Sequence, residues 1–161
     1  MSRYPHIIEN GAGERLTFAR LVQEPGGDRL EGETVVSPGA GPPMHAHFPQ
    51  DEGFTVVEGR IGVQRGDGPH EFAGEGETLV FRAGEPHQFW NAGVGDLRCT
   101  AWFKPAGNVE YFLAAVFEVQ RRAAGRRPNL FDIAFLMRRY RTEYAMLEFR
   151  RSCGSSCSHY W

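Results

Sequence analysis

From residue 14 to residue 103 the chain is a succession of short β-branched and aromatic runs, each closed by a cluster of glycine, proline or aspartate after about ten residues. This punctuation predicts strands at 16–23, 29–36, 44–47, 54–58, 60–64, 70–72, 78–81, 88–91 and 97–103. Glu58-Gly59 and Gly66-Asp67-Gly68 read as tight turns, because glycine reaches the positive φ that such turns need. Many short strands at even spacing form a barrel or a sandwich, so the expected fold class is all-β. The 20 glycines and 10 prolines among 161 residues supply the turns, and a hydrophobic fraction of 41% suffices for the core of one domain.

After Pro105 the apolar period changes from that of a strand to that of a helix. Asn108 is placed to cap a helix running to about Ala124 and stopped by Gly125. Asn129 is placed to cap a second, on which Ile133, Leu136, Met137, Tyr140, Tyr144 and Leu147 share one face. The chain therefore divides into a barrel with N-terminal strands (1–104), a helical extension packed on the barrel or on a partner subunit (105–151), and a flexible tail (152–161). Charge divides at nearly the same place. Met1 to Phe103 carries 8 basic and 15 acidic residues, and Lys104 to Trp161 carries 10 and 5. The arginines at 121, 122, 126, 127, 138, 139 and 141 are expected to form the solvated face of helices packed against the acidic barrel rather than to touch an anionic partner or a membrane surface, and no nucleic-acid partner is expected.

No basic segment followed by an apolar run occurs in 1–30, and no 18 residues in succession are apolar. A cytoplasmic protein without stable membrane insertion is expected. Cys99, Cys153 and Cys157 are too few and too scattered for a disulfide framework, which agrees with a reducing compartment.

Three of the six histidines fall where metal ligands would. In Met44-His45-Ala46-His47 the histidines are two apart, so on a strand both imidazoles leave the same face, and one face of a barrel strand is its interior. Glu52 follows five residues after His47, far enough for a bend to return its carboxylate to that point; Asp51 beside it offers the same group. His87 lies 40 residues beyond His47, where the turn Gly84-Glu85-Pro86 hands over to a strand. Three imidazoles and a carboxylate suit one divalent transition metal ion (iron, manganese, nickel, copper, cobalt or zinc) and argue against calcium or magnesium. Because histidine must be neutral to bind, release is expected below about pH 6.

These residues resemble the cupin superfamily. Its first motif runs Gly, five residues, His-x-His, three or four residues, Glu, six residues, Gly, and Gly39, His45, His47, Glu52 and Gly59 stand at those positions. Its second runs Gly, five residues, Pro-x-Gly, two residues, His, three residues, Asn. Gly76, Gly84, His87 and Asn91 match, while Arg82 stands where proline is expected. The resemblance covers 39–91 and is closest to small single-barrel cupins of the quercetinase-like kind, in which a segment like Pro105-Ala106-Gly107 leads into a helix carrying Glu and Phe, here Glu110 and Phe112. It implies a double-stranded β-helix (jelly-roll) barrel, a metal held by His45, His47, Glu52 and His87 with Glu52 favoured over Asp51, and a homodimer.

Four protein ligands leave one or two positions on such an ion for a small-molecule ligand or substrate. Met44, Phe54, Phe89 and Trp102 are the candidates to line its pocket, and Trp90 lies beside them. The expected functions are a dioxygenase acting on a small chelating organic molecule, with Glu52 as a possible base, or a non-catalytic metal or ligand-binding sensor, or a metal-dependent isomerase. His6 and His70 are expected at the surface, Cys99 in the core, and Cys153, Cys157 and His159 without a role.

Overall fold

The computed structural model describes residues 3–147. In chain order the elements are β1 (His6–Glu9), β2 (Glu14–Val22), β3 (Arg29–Val36), β4 (His45–His47), β5 (Asp51–Glu58), β6 (Ile61–Arg65), β7 (His70–Ala73), β8 (Thr78–Phe81), β9 (His87–Asn91), β10 (Leu97–Lys104), α1 (Val109–Ala123), α2 (Leu130–Arg139) and β11 (Tyr144–Met146). The nine strands expected from turn punctuation all form. The segment 152–161, with Cys153, Cys157 and His159, lies outside the described residues.

The strands pair antiparallel in two sheets, ordered β1-β2-β3-β10-β5-β8 and β11-β4-β9-β6-β7. Alternation along each strand decides what enters the space between them. On β10 Leu97, Cys99, Ala101 and Phe103 are buried while Arg98 and Thr100 are exposed; on β9 His87, Phe89 and Asn91 are buried. Val36, Phe54, Phe81 and Leu97 of one sheet meet Ile61, Val63 and Phe89 of the other in a common core. Full burial of such side chains stabilises by about 1.5–3 kcal/mol each. A second core lies under the helices, where Phe18, Leu30 and Phe103 pack with Val109, Phe112 and Leu136.

Trp102 and Trp90 leave their strands on the faces opposite Phe103 and Phe89. Each indole lies across a glycine of the neighbouring strand, Trp102 on Gly53 and Trp90 on Gly62, directly opposite in register. A Cβ on either glycine would fall 2.2–2.3 Å from indole ring atoms, so these glycines are required by the close approach of an aromatic ring.

The C-terminal extension departs from expectation. The second helix ends at Arg139, and Tyr144–Met146 becomes an edge strand on β4, with Tyr144 opposite His47 and Met146 opposite His45. Asn129 caps that helix, its side chain accepting from the Phe131 amide at 3.0 Å. Asn108 makes no side-chain cap; its amide donates to Glu143 instead, at 2.8 Å. Leu136 and Tyr140 are buried, but Phe131 and Phe135 project into solvent. At the other end β1, unforeseen from the sequence, is fastened to α1 through the buried Glu110, which receives Arg3 at 2.7 Å and Tyr4 at 3.0 Å and pairs with His6 Nδ1 at 2.8 Å. His6 is thus a tethered, half-exposed residue. Arg121 and Arg122 pair on the surface with Glu118 of their own helix. No described helix is long and apolar enough to cross a membrane.

Candidate metal centre

Strand parity brings the candidate ligands to one place. His45 and His47 leave β4 on the same side, His87 at the start of β9 lies directly opposite His45, and Glu52 enters from β5 with the parity of Phe54 and Val56. One ligand atom from each of the four lies within 4.8 Å of the others. His47, Glu52 and His87 are buried and His45 is half-buried, so the group has one side nearer solvent.

The same alternation separates the two carboxylates. Asp51 points outward, where it accepts from Arg82 at 2.7 Å and from the Ala83 amide at 2.8 Å. Arg82 is the residue standing in place of the motif's proline. The turn closes without proline because the Glu85 side chain accepts the Arg82 amide and the Glu85 amide returns to the Arg82 carbonyl, both at 2.9 Å, with Gly84 at φ 80°.

Two imidazoles are oriented by the backbone. His45 Nδ1 donates to the Pro43 carbonyl and His87 Nδ1 to the Glu85 carbonyl, each at 2.8 Å. A carbonyl only accepts, so the Nδ1 of each ring carries a proton, and in the neutral ring this leaves the lone pair on Nε2, the form that ligates. His87 Nε2 then faces Glu52 Oε2 at 2.9 Å, and His47 Nε2 faces the same oxygen at 3.6 Å. Acceptors this close repel unless a proton or a cation lies between them. The donor set therefore fits a bound metal ion.

The electrostatics agree. Burial, reinforced by His47 and His87, pushes the His45 imidazole down to about 3, and burial lowers His47 as well, against the pull of Glu52. Burial alone would raise the Glu52 carboxyl, but the surrounding His47, His87 and His45 outweigh it and hold it at about 2. At neutral pH the group thus offers uncharged His45 and His47 imidazoles and an ionised carboxylate.

Aromatic rings wall the centre. Phe81 stacks on His87 at 4.0 Å between centroids and 2° between planes, Phe103 on His47 at 5.8 Å, and Tyr144 presents its edge to His47 at 5.0 Å.

Residues 32–103 match the family model described as Cupin domain, which spans both motifs and all four candidate ligands. The chain carries a cupin domain. A curated relative, the probable oxidoreductase virH of Hypocrea virens, is 28% identical over 105 residues, which are 60% of this cupin and 48% of the relative. The oxidoreductase iacF of Pestalotiopsis fici is 32% identical over 75 residues, 45% of this cupin and 37% of the relative. The chain therefore spans less than half the length of either. Among solved structures, KdgF from Halomonas sp. superposes with a TM-score of 0.56 at 16% identity, covering 68% of this cupin and 96% of that chain, a likeness of fold.

Of the residues expected to line a pocket, Phe54 and Phe89 are buried in the interior with ring centroids 4.8 Å apart, and Phe54 reaches Phe81, which stacks on His87. Met44 is buried just before β4. Trp102 does not join them, because the parity that sends Phe103 to His47 turns Trp102 onto Gly53. His70 is exposed and lies against Trp90, and Cys99 is buried, its thiol pushed up by burial to about 12. Sequence reasoning passed over Phe81 and Phe103, both recoverable from strand alternation. It also missed Gln50 and Tyr144. Gln50 is 1% exposed in the link between β4 and β5, and nothing in the local sequence announces it.

Proposed function

We propose that this cupin holds one divalent transition metal ion through His45, His47, Glu52 and His87, and that it oxidises a small chelating organic molecule with dioxygen. The observation that carries the metal is the convergence of four ligand atoms within 4.8 Å, with two histidines held by carbonyls in their ligating tautomer. When bound, the ion would supply Lewis-acid and one-electron chemistry at the one or two positions that four protein ligands leave open. The chain's own part is to bind and to exclude water. Phe81 and Phe103 cover His87 and His47, and the half-buried His45 marks the side from which a small molecule approaches. Glu52 is the one carboxylate of the group and so its candidate base for a substrate hydroxyl, though the surrounding imidazoles weaken it in that role. Oxidation is supported by the resemblance to quercetinase-like cupins and by the names of both curated relatives.

The test is elemental analysis of purified protein followed by oxygen uptake with a panel of flavonols, enediols and thiols. About one iron, manganese, nickel or copper per chain, with oxygen consumed by at least one compound, is the expected result. Zinc with no uptake across the panel overturns oxidation and favours a sensor or isomerase. Full metal content in the His45→Ala, His47→Ala double variant overturns the metal assignment itself.

A further inference from the structure

The three histidines of the centre are not equally supported. His45 and His87 each donate Nδ1–H to a backbone carbonyl, whereas His47 Nδ1 is buried with no partner among the described residues. Imidazoles that bind metal through one nitrogen are held by a hydrogen bond from the other, so the missing partner marks an unfinished part of the site.

The groups able to finish it are close at hand. Six buried side-chain polar atoms lack a partner among the described residues, and four of them belong to His47, Gln50 and Tyr144. Gln50 is three residues beyond His47 and 1% exposed, and both of its amide atoms are unpartnered. Tyr144 is opposite His47 in the β4–β11 register and 4% exposed, and its hydroxyl has no partner of full hydrogen-bond geometry other than the approach of Gln50. The Gln50 amide faces that phenol. On its other side the amide abuts Gly107, where a Cβ would come within 2.8 Å of Gln50 Nε2. Leaving so many polar groups buried and unpaired costs about 1–3 kcal/mol each, which a cluster of unrelated residues would not sustain.

We propose that Gln50 and Tyr144 are the outer partners of His47, so that the C-terminal strand β11 belongs to the metal centre. The inference rests on the metal reading above. When Nε2 of His47 is engaged by metal, its Nδ1 carries the proton and needs an acceptor; the Tyr144 ring lies 5.0 Å from the His47 ring between centroids, and the Gln50 carbonyl oxygen and the Tyr144 hydroxyl oxygen are buried acceptors without a full partner among the described residues. Gln50 and Tyr144 are thus positioning residues. They touch no substrate and act by fixing the ring plane of His47.

The experiment measures Co2+ affinity, by competition with a chromophoric chelator, together with the visible absorption of the Co2+ protein, for wild type, Tyr144→Phe, Gln50→Leu and the double variant. Tyr144→Phe keeps the ring stacked on Phe112 at 4.0 Å and removes only the hydroxyl. Each single variant is expected to bind Co2+ about 10–100-fold more weakly and to shift the cobalt band, as a reoriented imidazole requires. The double variant should lose little more than the worse single one, because the two residues serve the same proton. Stability of the metal-free Tyr144→Phe protein should be unchanged or raised, since an unpaired hydroxyl is removed. Affinities within twofold of wild type with an unchanged band overturn the proposal while leaving the metal site intact. Weaker binding accompanied by an equal fall in metal-free stability and an unchanged band assigns a structural role, and also overturns it. A wild-type protein that takes up no Co2+ overturns both readings, and the wild-type titration shows this by itself.

Discussion

Titrating the metal-free protein with Zn2+ at pH 6 counts the protons that its ligands must give up, and burial of the centre changes that count. An ordinary histidine at pKa 6.5 is about 76% protonated at pH 6, so three free histidines would release about 2.3 protons on binding metal. Here burial holds His45 at about 3, where it carries essentially no proton at pH 6, and lowers His47 as well, while Glu52 at about 2 is already ionised. The whole share of His45 and part of that of His47 are removed, leaving fewer than about two protons released per metal bound. A metal-bound water titrating near 7 adds about 0.1. Isothermal titration in buffers of different ionisation enthalpy gives the number directly, as the slope of observed heat against buffer enthalpy. Below pH 6 affinity still falls, because protons compete with the metal, but less steeply than it would for three ordinary histidines. The release expected near pH 6 from ordinary histidines is therefore displaced to lower pH. A slope of two or more protons would refute the burial argument and mean that the imidazoles are hydrated in the metal-free state.

The same shifts fix the acid behaviour of the metal-free fold. His45 is lowered from 6.5 to about 3, so its contribution is present above 6.5 and is lost as pH falls toward 3, and Glu52, lowered from 4.5 to about 2, adds a loss in the same direction below 4.5; denaturant midpoints should fall steadily from pH 7 to pH 4, and a flat profile would contradict the placement of His45. Glu52→Gln should weaken Zn2+ binding beyond the roughly 10–100-fold of an outer partner, whereas Asp51→Asn should leave metal affinity within about twofold and lower stability by about 1 kcal/mol through the Arg82 and Ala83 contacts, both read by competition with a chelator. Phe103→Ala should destabilise by about 3–5 kcal/mol and loosen His47, while Trp102→Ala should spare metal affinity; the reverse order of effects on metal would place Trp102 in the site after all. Gly53→Ala should cost about 1–3 kcal/mol in thermal or denaturant unfolding, and much less in the Trp102→Ala background, because the obstructing indole is then gone.

What was legible in the sequence, and what was not, follows from how far along the chain each constraint acts. Strands are local: a run of β-branched residues between turn formers needs no distant information, and β2 to β10 form where that punctuation puts them. Ligand convergence was legible for the same reason, since a separation of two on a strand fixes a face whatever the strand pairs with, and His45 and His47 obey it. The choice between Asp51 and Glu52 was open to spacing but is closed by parity, because Glu52 shares its side of β5 with Phe54 and Val56. Parity would also have exchanged Trp102 for Phe103 had it been counted back from Leu97 and Cys99, so that error was avoidable. The strand β11 was not. Tyr144 and Leu147 continue the helical period set by Ile133, Leu136, Met137 and Tyr140, and no residue among 141–147 breaks it. The competing force is the open edge of β4, which takes Tyr144, Ala145 and Met146 as partners through backbone hydrogen bonds that no side-chain pattern encodes. Outer support of His47 from such a segment is invisible to motif spacing, since it depends on an edge that exists only once the sheet has formed. In this cupin the ligands are therefore written into two motifs, and the groups proposed to hold one of them in place come from a link and a strand that neither motif contains.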